Sequence, residues 1–165
     1  LPIDPYLLGC LIGDGSFRKY ISLTSSDQFI IDQCIHSLEQ LEGDALKIRL
    51  DGKYSYIFST KSKKPSKLKH ELDKLGLLNH LSYTKFIPDI YKHSSVEDRI
   101  ALLQGLMDTD GTVSSVKTYK GKLSNKACFG TSSKQLRYDF EFLIQSLGGW
   151  CSTREFTASY RDASG

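Results

Sequence analysis

Apolar and polar positions along this chain switch between a helical and an alternating period, and the switches mark its elements. Asp4-Pro5 supplies an N-cap and a proline for the first helical position. Leu8, Leu11 and Ile12 then recur at helical spacing, and Gly15 is read as the left-handed residue that stops the helix. Phe17 to Thr24 alternates like one strand, with Phe17, Ile21 and Leu23 on one face and Arg18, Tyr20, Ser22 and Thr24 on the other. Ser25-Ser26-Asp27-Gln28 has capping-box spacing. The helix it opens runs to about Leu41, with Phe29, Ile30, Cys34, Ile35, Leu38 and Leu41 as its apolar stripe and Gly43 as its stop. Leu46, Ile48 and Leu50 alternate with Lys47 and Arg49 as a half-buried strand. Asp51-Gly52 predicts a two-residue hairpin turn, and Lys53 to Ser59 returns. After the lysine-rich KSKKPSKLK, Pro65 opens a helix to about Leu75 and Gly76 closes it.

The second part of the chain repeats this order. Thr84 to Tyr91, TKFIPDIY, is extended, and Ser94-Ser95-Val96-Glu97 opens a helix with Leu103, Leu106 and Met107 on its stripe and Gly111 as its left-handed stop. Thr112 to Tyr119 and Lys122 to Phe129 form a hairpin around Lys120-Gly121. Ser132-Ser133-Lys134-Gln135 begins a helix to about Leu147 that ends at Gly148-Gly149, and Trp150 to Thr157 reads as a strand. The repeat predicts an internal duplication at a domain-sized period, with halves 1–93 and 94–165. The second half stops early. It lacks counterparts of the return strand, the lysine-rich segment and TKFIP, and the chain reads as a piece of a longer polypeptide.

Two nine-residue blocks, LLGCLIGDG at Leu7 to Gly15 and LQGLMDTDG at Leu103 to Gly111, have the same form. Gly9 and Gly13 are four apart, as are Gly105 and Thr109, so each helix carries a stripe where another backbone can approach closely. Packed stripe to stripe with the helices parallel, the blocks bring Asp14 and Asp110 out side by side. That arrangement is costly alone. Each carboxylate faces the negative end of a helix dipole, and the two repel. A hard divalent cation between them, Mg²⁺ or Ca²⁺, removes both penalties.

The blocks resemble the paired LAGLIDADG motifs of homing endonucleases, and PYLLGCLIGDGSF and KFIPDIY…DRIALLQGLMDTDGTV are similar to the endonuclease domains carried inside inteins. The sixth motif position differs between the copies, Ile12 against Asp108, while both keep the eighth-position acid. The resemblance implies an α+β fold of pseudo-twofold αββαββα-type halves, in which two antiparallel sheets form a DNA-binding saddle around the packed helices. It implies Mg²⁺-dependent cleavage of double-stranded DNA to short 3′ overhangs, with Mn²⁺ as a substitute and Ca²⁺ supporting binding without turnover. Asp14 and Asp110 would be catalytic metal ligands, with Gly13 and Thr109 beside them in the metal site. Lys85 of TKFIP would position water or stabilise charge. Its counterpart in the second half lies past Gly165 or is missing. Strands that alternate basic and apolar residues suit a β-ribbon in a DNA groove. Arg18, Tyr20, Ser22, Thr24, Lys47, Arg49, Lys117, Lys120, Lys122, Lys126 and Arg154 are the contact candidates, most of them to phosphate.

Composition adds little to this. The 22 Lys and Arg against 19 Asp and Glu leave a net charge of +3, too mild to establish a nucleic-acid partner by itself. The crowded Lys61, Lys63, Lys64, Lys67 and Lys69 read as a solvated run. Cys10, Cys34, Cys128 and Cys151 are too scattered for a zinc site or a disulfide framework, so an intracellular compartment, cytoplasm or nucleus, is expected. His36, His70, His80 and His93 have no ligand or triad spacing, and no P-loop, dinucleotide fingerprint or membrane-spanning run occurs. Neither end shows splicing residues, so the chain by itself is not expected to splice. The resemblance implies a monomer with an internal pseudo-twofold, with room for an intein splicing domain in the same polypeptide. The competing reading is a nucleic-acid-binding protein on the same scaffold: a maturase, a regulator or a decayed endonuclease.

Overall fold

The computed structural model describes residues 1–61, 66–117, 119 and 121–157. Among these, six α-helices and two antiparallel sheets make an α+β fold. Helix α1 (Pro5–Asp14) starts as its sequence dictates, with the Asp4 carboxylate accepting from the Leu7 N–H and proline in the first turn. Leu7, Leu8, Gly9, Cys10, Leu11 and Ile12 are all buried, so α1 is apolar all round and forms the centre of the core.

Chain direction changes sharply after α1, without a left-handed residue. Gly15 has φ −82° and ψ 162°, and Gly111, after the second motif helix, has φ −88° and ψ 151°. Both are extended residues that begin a strand directly, which corrects the expected left-handed stop. Glycine is required for a different reason. A Cβ on Gly15 would run into the Leu11 carbonyl, and one on Gly111 into the Met107 carbonyl.

The expected strand from Phe17 to Thr24 is a hairpin. Strands β1 (Gly15–Phe17) and β2 (Ile21–Thr24) pair with Phe17 opposite Ile21, leaving residues 18–20 as the turn. Directly opposed residues share a face, so Phe17, Ile21 and Leu23 are buried together either way, and parity alone could not reveal the fold-back. Strands β3 (Leu46–Asp51) and β4 (Ser55–Thr60) complete a sheet of order β1-β2-β4-β3. Asp51 opposes Ser55, so their loop holds three residues, with Gly52 at φ 71°, and the expected two-residue turn is corrected.

Helix α2 (Gln28–Glu42) covers this sheet. Its cap is Asp27, which accepts from the Phe29 N–H, while Ser25 Oγ accepts from the Asp27 N–H. The buried line is Ile30, Cys34, Leu38 and Glu42, with Ile31 beside it, so Phe29 falls on the outer flank and is exposed. Gly43, at φ 59°, ends α2. Glu42 accepts from Ser66 Oγ (2.5 Å) and the Leu68 N–H (2.8 Å), which ties α2 to α3 (Lys67–Lys74). Gly76, at φ 72°, follows α3 as expected, whereas Pro65, Lys63 and Lys64 lie outside the described residues. Lys61, Lys67 and Lys69 are exposed.

A short helix α4 (Asp89–Lys92) precedes α5 (Val96–Asp110), which Ser95 caps by accepting from the Asp98 N–H. Strands β5 (Gly111–Lys117) and β6 (Leu123–Phe129) form the second sheet, and α6 (Lys134–Ser146) packs on it through Phe140 stacked against Phe129 at 4.2 Å. The order helix, hairpin, helix thus occurs twice among the described residues, and a second hairpin follows only the first time. The second sheet is poorly covered: Val113 is 74% and Leu123 69% exposed. Residues 150–157 form no strand, and Trp150 and Phe156 are exposed, which corrects the expected last strand.

Helices α1 and α5 run parallel and meet at the small residues. A Cβ on Gly9 would overlap the Leu102 carbonyl and lie 3.0 Å from the Leu106 nitrogen. One on Gly105 would overlap the Tyr6 carbonyl and lie 2.8 Å from the Cys10 nitrogen. Thr109 fills the space that a side chain on Gly13 would need. These obstacles are mostly backbone, which cannot swing aside. Overpacking against side chains costs about 1–3 kcal/mol, and here the helices themselves must separate. Gly9→Leu and Gly105→Leu should each abolish the cooperative thermal transition followed by circular dichroism. Gly130→Ala, where an added Cβ meets nothing within 4 Å, should leave the midpoint unchanged.

Candidate functional site

Asp14 is the last residue of α1 and Asp110 the last of α5. The register Gly9 to Gly105 and Gly13 to Thr109 brings these two ends together. A Cβ on Gly13 would stand 3.5 Å from Asp110 Oδ2. Thr109 is held in this seam by donating its hydroxyl to the Gly105 and Leu106 carbonyls at 2.9 and 3.1 Å. Partial burial raises the pKa of both acids above the ordinary carboxylate value, and the charge of Asp14 adds a second upward push at Asp110. The ammonium of Lys85 opposes the shift at both.

Lys85 reaches the site from the segment between α3 and α4 and is 4% exposed. Its Nζ donates to the carbonyls of Gly13 (2.7 Å), Gly15 (2.7 Å) and Leu11 (3.3 Å) and lies 5.3 Å over the Phe17 ring. An ammonium has three N–H donors, and three carbonyls take them. Lys85 therefore clamps the end of α1, where unsatisfied carbonyls favour a cation. Burial pulls its pKa down to about 8, against the upward pull of Asp110 and Asp14. The resemblance puts Lys85 near the two acids, and in the structure its donors are engaged by the carbonyls around Asp14.

Among the described residues, no group of three or more His, Cys, Asp and Glu gathers as a metal cluster. The donor set at the two helix ends is a carboxylate pair with nearby backbone oxygens. Two carboxylates disfavoured by burial and mutual repulsion fit a hard cation that completes its shell with carbonyls, water or phosphate. The Gly13 carbonyl already accepts from Lys85. Asp108, the odd acid of the second motif, accepts from the Tyr6 hydroxyl at 2.8 Å and links α5 to α1. Burial and that bond raise the pKa of Tyr6.

The candidate contact residues separate into groups. Ser16, Ser22, Ile57 and Arg49 pair across all four strands of the first sheet as one row. Arg18, Lys19, Tyr20 and Ser22 line an open groove of about 510 Å³ on this sheet. Arg18 and Tyr20 belong to the β1–β2 turn and Ser22 and Thr24 to β2, so they adjoin without sharing one strand. Lys47 and Arg49 are exposed on β3, and the Arg49–Asp51 pair at 3.9 Å is a solvent-exposed contact worth little. Lys117 and Lys126 occupy opposite faces of the second hairpin, because Lys117 opposes Leu123 while Lys126 opposes Ser114. Lys122 is exposed just before β6, Lys120 lies outside the described residues, and Arg154 is on an exposed segment, not on a strand.

Two contacts that support the site escaped the sequence reading. Ser133 caps α6 and donates to the Lys85 carbonyl at 2.6 Å. Asp139, 3% exposed, accepts from the Ile87 N–H (2.9 Å), from Lys92 Nζ (2.9 Å) and from Gln135 (3.0 Å). The available signal was an acid on the inward stripe of a helix, between Leu136 and Leu143, which demands a buried partner.

Residues 97–155 match the family model of a LAGLIDADG-like domain. Residues 97–155, which hold most of α5, the second hairpin and α6, thus carry a LAGLIDADG-like domain. The chain is also 30% identical over 152 residues to a replicative DNA helicase DnaB of Nostoc sp., covering 86% of this chain and 17% of that protein. Against a replicative DNA helicase DnaB of Mycobacterium intracellulare it is 30% identical over 151 residues, covering 92% of this chain and 20% of that protein. The chain thus spans a fifth or less of the curated relatives that it matches. No described helix is long and apolar enough to cross a membrane.

The raised carboxyls set a pH dependence. A carboxyl whose folded pKa lies above its unfolded value contributes stability at low pH that is lost as pH rises through the folded pKa. Asp14→Asn and Asp110→Asn should therefore raise the metal-free melting temperature at pH 7 by a few °C, equivalent to about 1 kcal/mol or less after solvent screening. The gain should vanish below about pH 4, where the wild-type carboxyls are protonated folded and unfolded alike. Thermal melts from pH 3 to 8 in chelator would check this, and a loss of stability at pH 7 would make the carboxylates structural caps.

Proposed function

We propose that the chain is a site-specific, divalent-metal-dependent DNA endonuclease, the homing module of an intein. The observation that carries it is the parallel, glycine-mediated packing of α1 and α5, which sets two destabilised carboxylates at one helix end beside a buried lysine. Such a pair costs this fold stability when both acids are ionised. Halves 1–93 and 94–165 are the two motif units, each supplying one acid. A match confined to a fifth or less of two helicases fits an element carried within a longer host polypeptide. The chain has no P-loop of its own, so the matched stretch is unlike an ATPase core.

Double-stranded DNA would lie along the groove side of the first sheet and the hairpin of the second. Arg49, Lys47, Lys122 and Lys126 neutralise phosphates, and Arg18, Tyr20, Ser22 and Thr24 reach base edges. Asp14 and Asp110, with the backbone at Gly13 and Thr109, would hold Mg²⁺ or Mn²⁺. The bound metal supplies an activated water and neutralises charge at the scissile phosphate. The chain's own task is to fix the acids in register across the two strands and keep their ends half-dry. Lys85 does so for Asp14 by binding the carbonyls on either side of it.

Asp14→Asn and Asp110→Asn should each abolish double-strand cleavage while DNA affinity holds or rises, because a negative charge next to phosphate is removed. Cleavage of plasmids carrying a helicase coding sequence without the inserted element, in Mg²⁺ and in Ca²⁺, checks this. Wild-type rates in either variant would place the reaction elsewhere, and binding without any cutting in Mg²⁺ would leave a maturase-like or regulatory binder. Binding titrations across salt should give a slope of log K against log salt of roughly −3 to −4 for the four neutralised phosphates. A flat dependence would exclude the groove as a backbone-tracking surface.

A further inference from the structure

The Ser133 hydroxyl has one proton to give, and its destination is informative. As the N-cap of α6 it accepts from the Leu136 N–H at 3.1 Å, which uses a lone pair and leaves the proton free. That proton goes to the backbone carbonyl of Lys85 at 2.6 Å, in a spot where Ser133 is 1% exposed. Two residues further on, the Ile87 N–H is held by Asp139, also from α6. The backbone that carries Lys85 is therefore fixed at two points by a single helix. Lys85 in turn donates to the Gly13 and Gly15 carbonyls, both at 2.7 Å, which bracket Asp14.

We propose that Ser133 is a positioning residue for Asp14, acting through Lys85. This rests on the reading of Asp14 as a catalytic acid. The chain of contacts runs from the helix after the second hairpin to the end of the first motif helix, so the half that supplies Asp110 also sets the position of Asp14. A lysine stem is long and flexible, and its head is placed only as well as its backbone is. With the hydroxyl removed, the Lys85 carbonyl has lost its buried donor, the segment can shift, and the clamp on the Gly13 and Gly15 carbonyls that flank Asp14 loosens. Misplacement of a reacting group by about 1 Å costs on the order of a hundredfold in rate.

The test compares Ser133→Ala, Ser133→Gly and Ser133→Thr in the full chain. Glycine keeps most of the capping preference without the donor, and threonine keeps both. Amide hydrogen exchange read by NMR should show the Asp14 and Gly15 amides exchanging about tenfold faster in Ser133→Ala and Ser133→Gly, with Ile31 and Cys34 of α2 unchanged. Ser133→Thr should restore the wild-type rates. In single-turnover cleavage with saturating enzyme, the Ala and Gly variants should lose about tenfold or more in rate with DNA Kd within twofold, again restored by Thr. Uniformly faster exchange across α2 would make Ser133 only a stabilising cap, and unchanged exchange at Asp14 and Gly15 would break the link. Either result overturns the proposal. If the wild type does not cut DNA at all, the endonuclease reading falls, and the exchange rates alone decide whether Ser133 positions Asp14.

Discussion

Backbone contact between α1 and α5 governs this molecule. At Gly9 and Gly105 no side chain separates the helices, and the nearest atoms to each missing Cβ belong to the other helix's main chain. Such an approach fixes the register, because a slide by one residue would drive a larger side chain into a carbonyl. The position of the helix ends follows from that register. So does the environment of Asp14 and Asp110, since each acid ends its helix and the chain turns into a strand immediately after it. The extended Gly15 and Gly111 answer to a separate constraint within each helix, with the fourth residue back lying where a Cβ would go.

The site is an electrostatic compromise built on that contact. Two carboxylates face the negative ends of two helix dipoles, and burial makes their ionisation harder. Lys85 is the one countercharge that the described residues bring beneath them, and it too is taken out of water. Burying a cation costs several kcal/mol unless its donors are matched. Here three carbonyls match them, and two carboxylates add attraction from outside. The clamp satisfies orphan carbonyls at the end of α1 at the same time. Lysine thus serves the helix end first and reaches the acids through it.

Much of this was legible in sequence. The matched blocks, their small-residue spacing and the Asp4 cap are local signals that placed the helices. Capping boxes read from Ser25, Ser94 and Ser132 put the caps a residue or two early, at helices that Asp27, Ser95 and Ser133 cap. The sheet details were less accessible. Phe17 and Ile21 are buried whether the chain continues or folds back, so the β1–β2 hairpin leaves no mark on parity. Trp150 to Thr157 has aromatic and threonine residues that suit a strand, but such composition forms a strand only when a neighbour pairs with it. Glycine at the helix ends was read through its backbone freedom, while the structure uses its missing side chain. Contacts such as Ser133 to Lys85, 48 residues apart, have no local signature at all.

The two halves of the site are supported unequally. Beneath Asp14 lies Lys85, bound to the carbonyls of α1. At the end of α5, the Gly111 N–H closes the last turn on Met107, and among the described residues no lysine donates to its carbonyls, although the charge of Lys85 reaches Asp110. Asp110 also carries the repulsion of Asp14 on top of its own burial. The first acid is therefore held from below by a clamped peptide and the second by the packing of Thr109 in the seam. The first sheet is closed to four strands and covered by α2, whereas the second is a two-stranded arm with Val113 and Leu123 uncovered. Rigidity is concentrated on the side of α1, while the charge of Lys85 acts on both acids. It follows that α6 has a double duty. It packs on the less covered sheet through Phe140, and through Ser133 and Asp139 it braces the segment that steadies the other half.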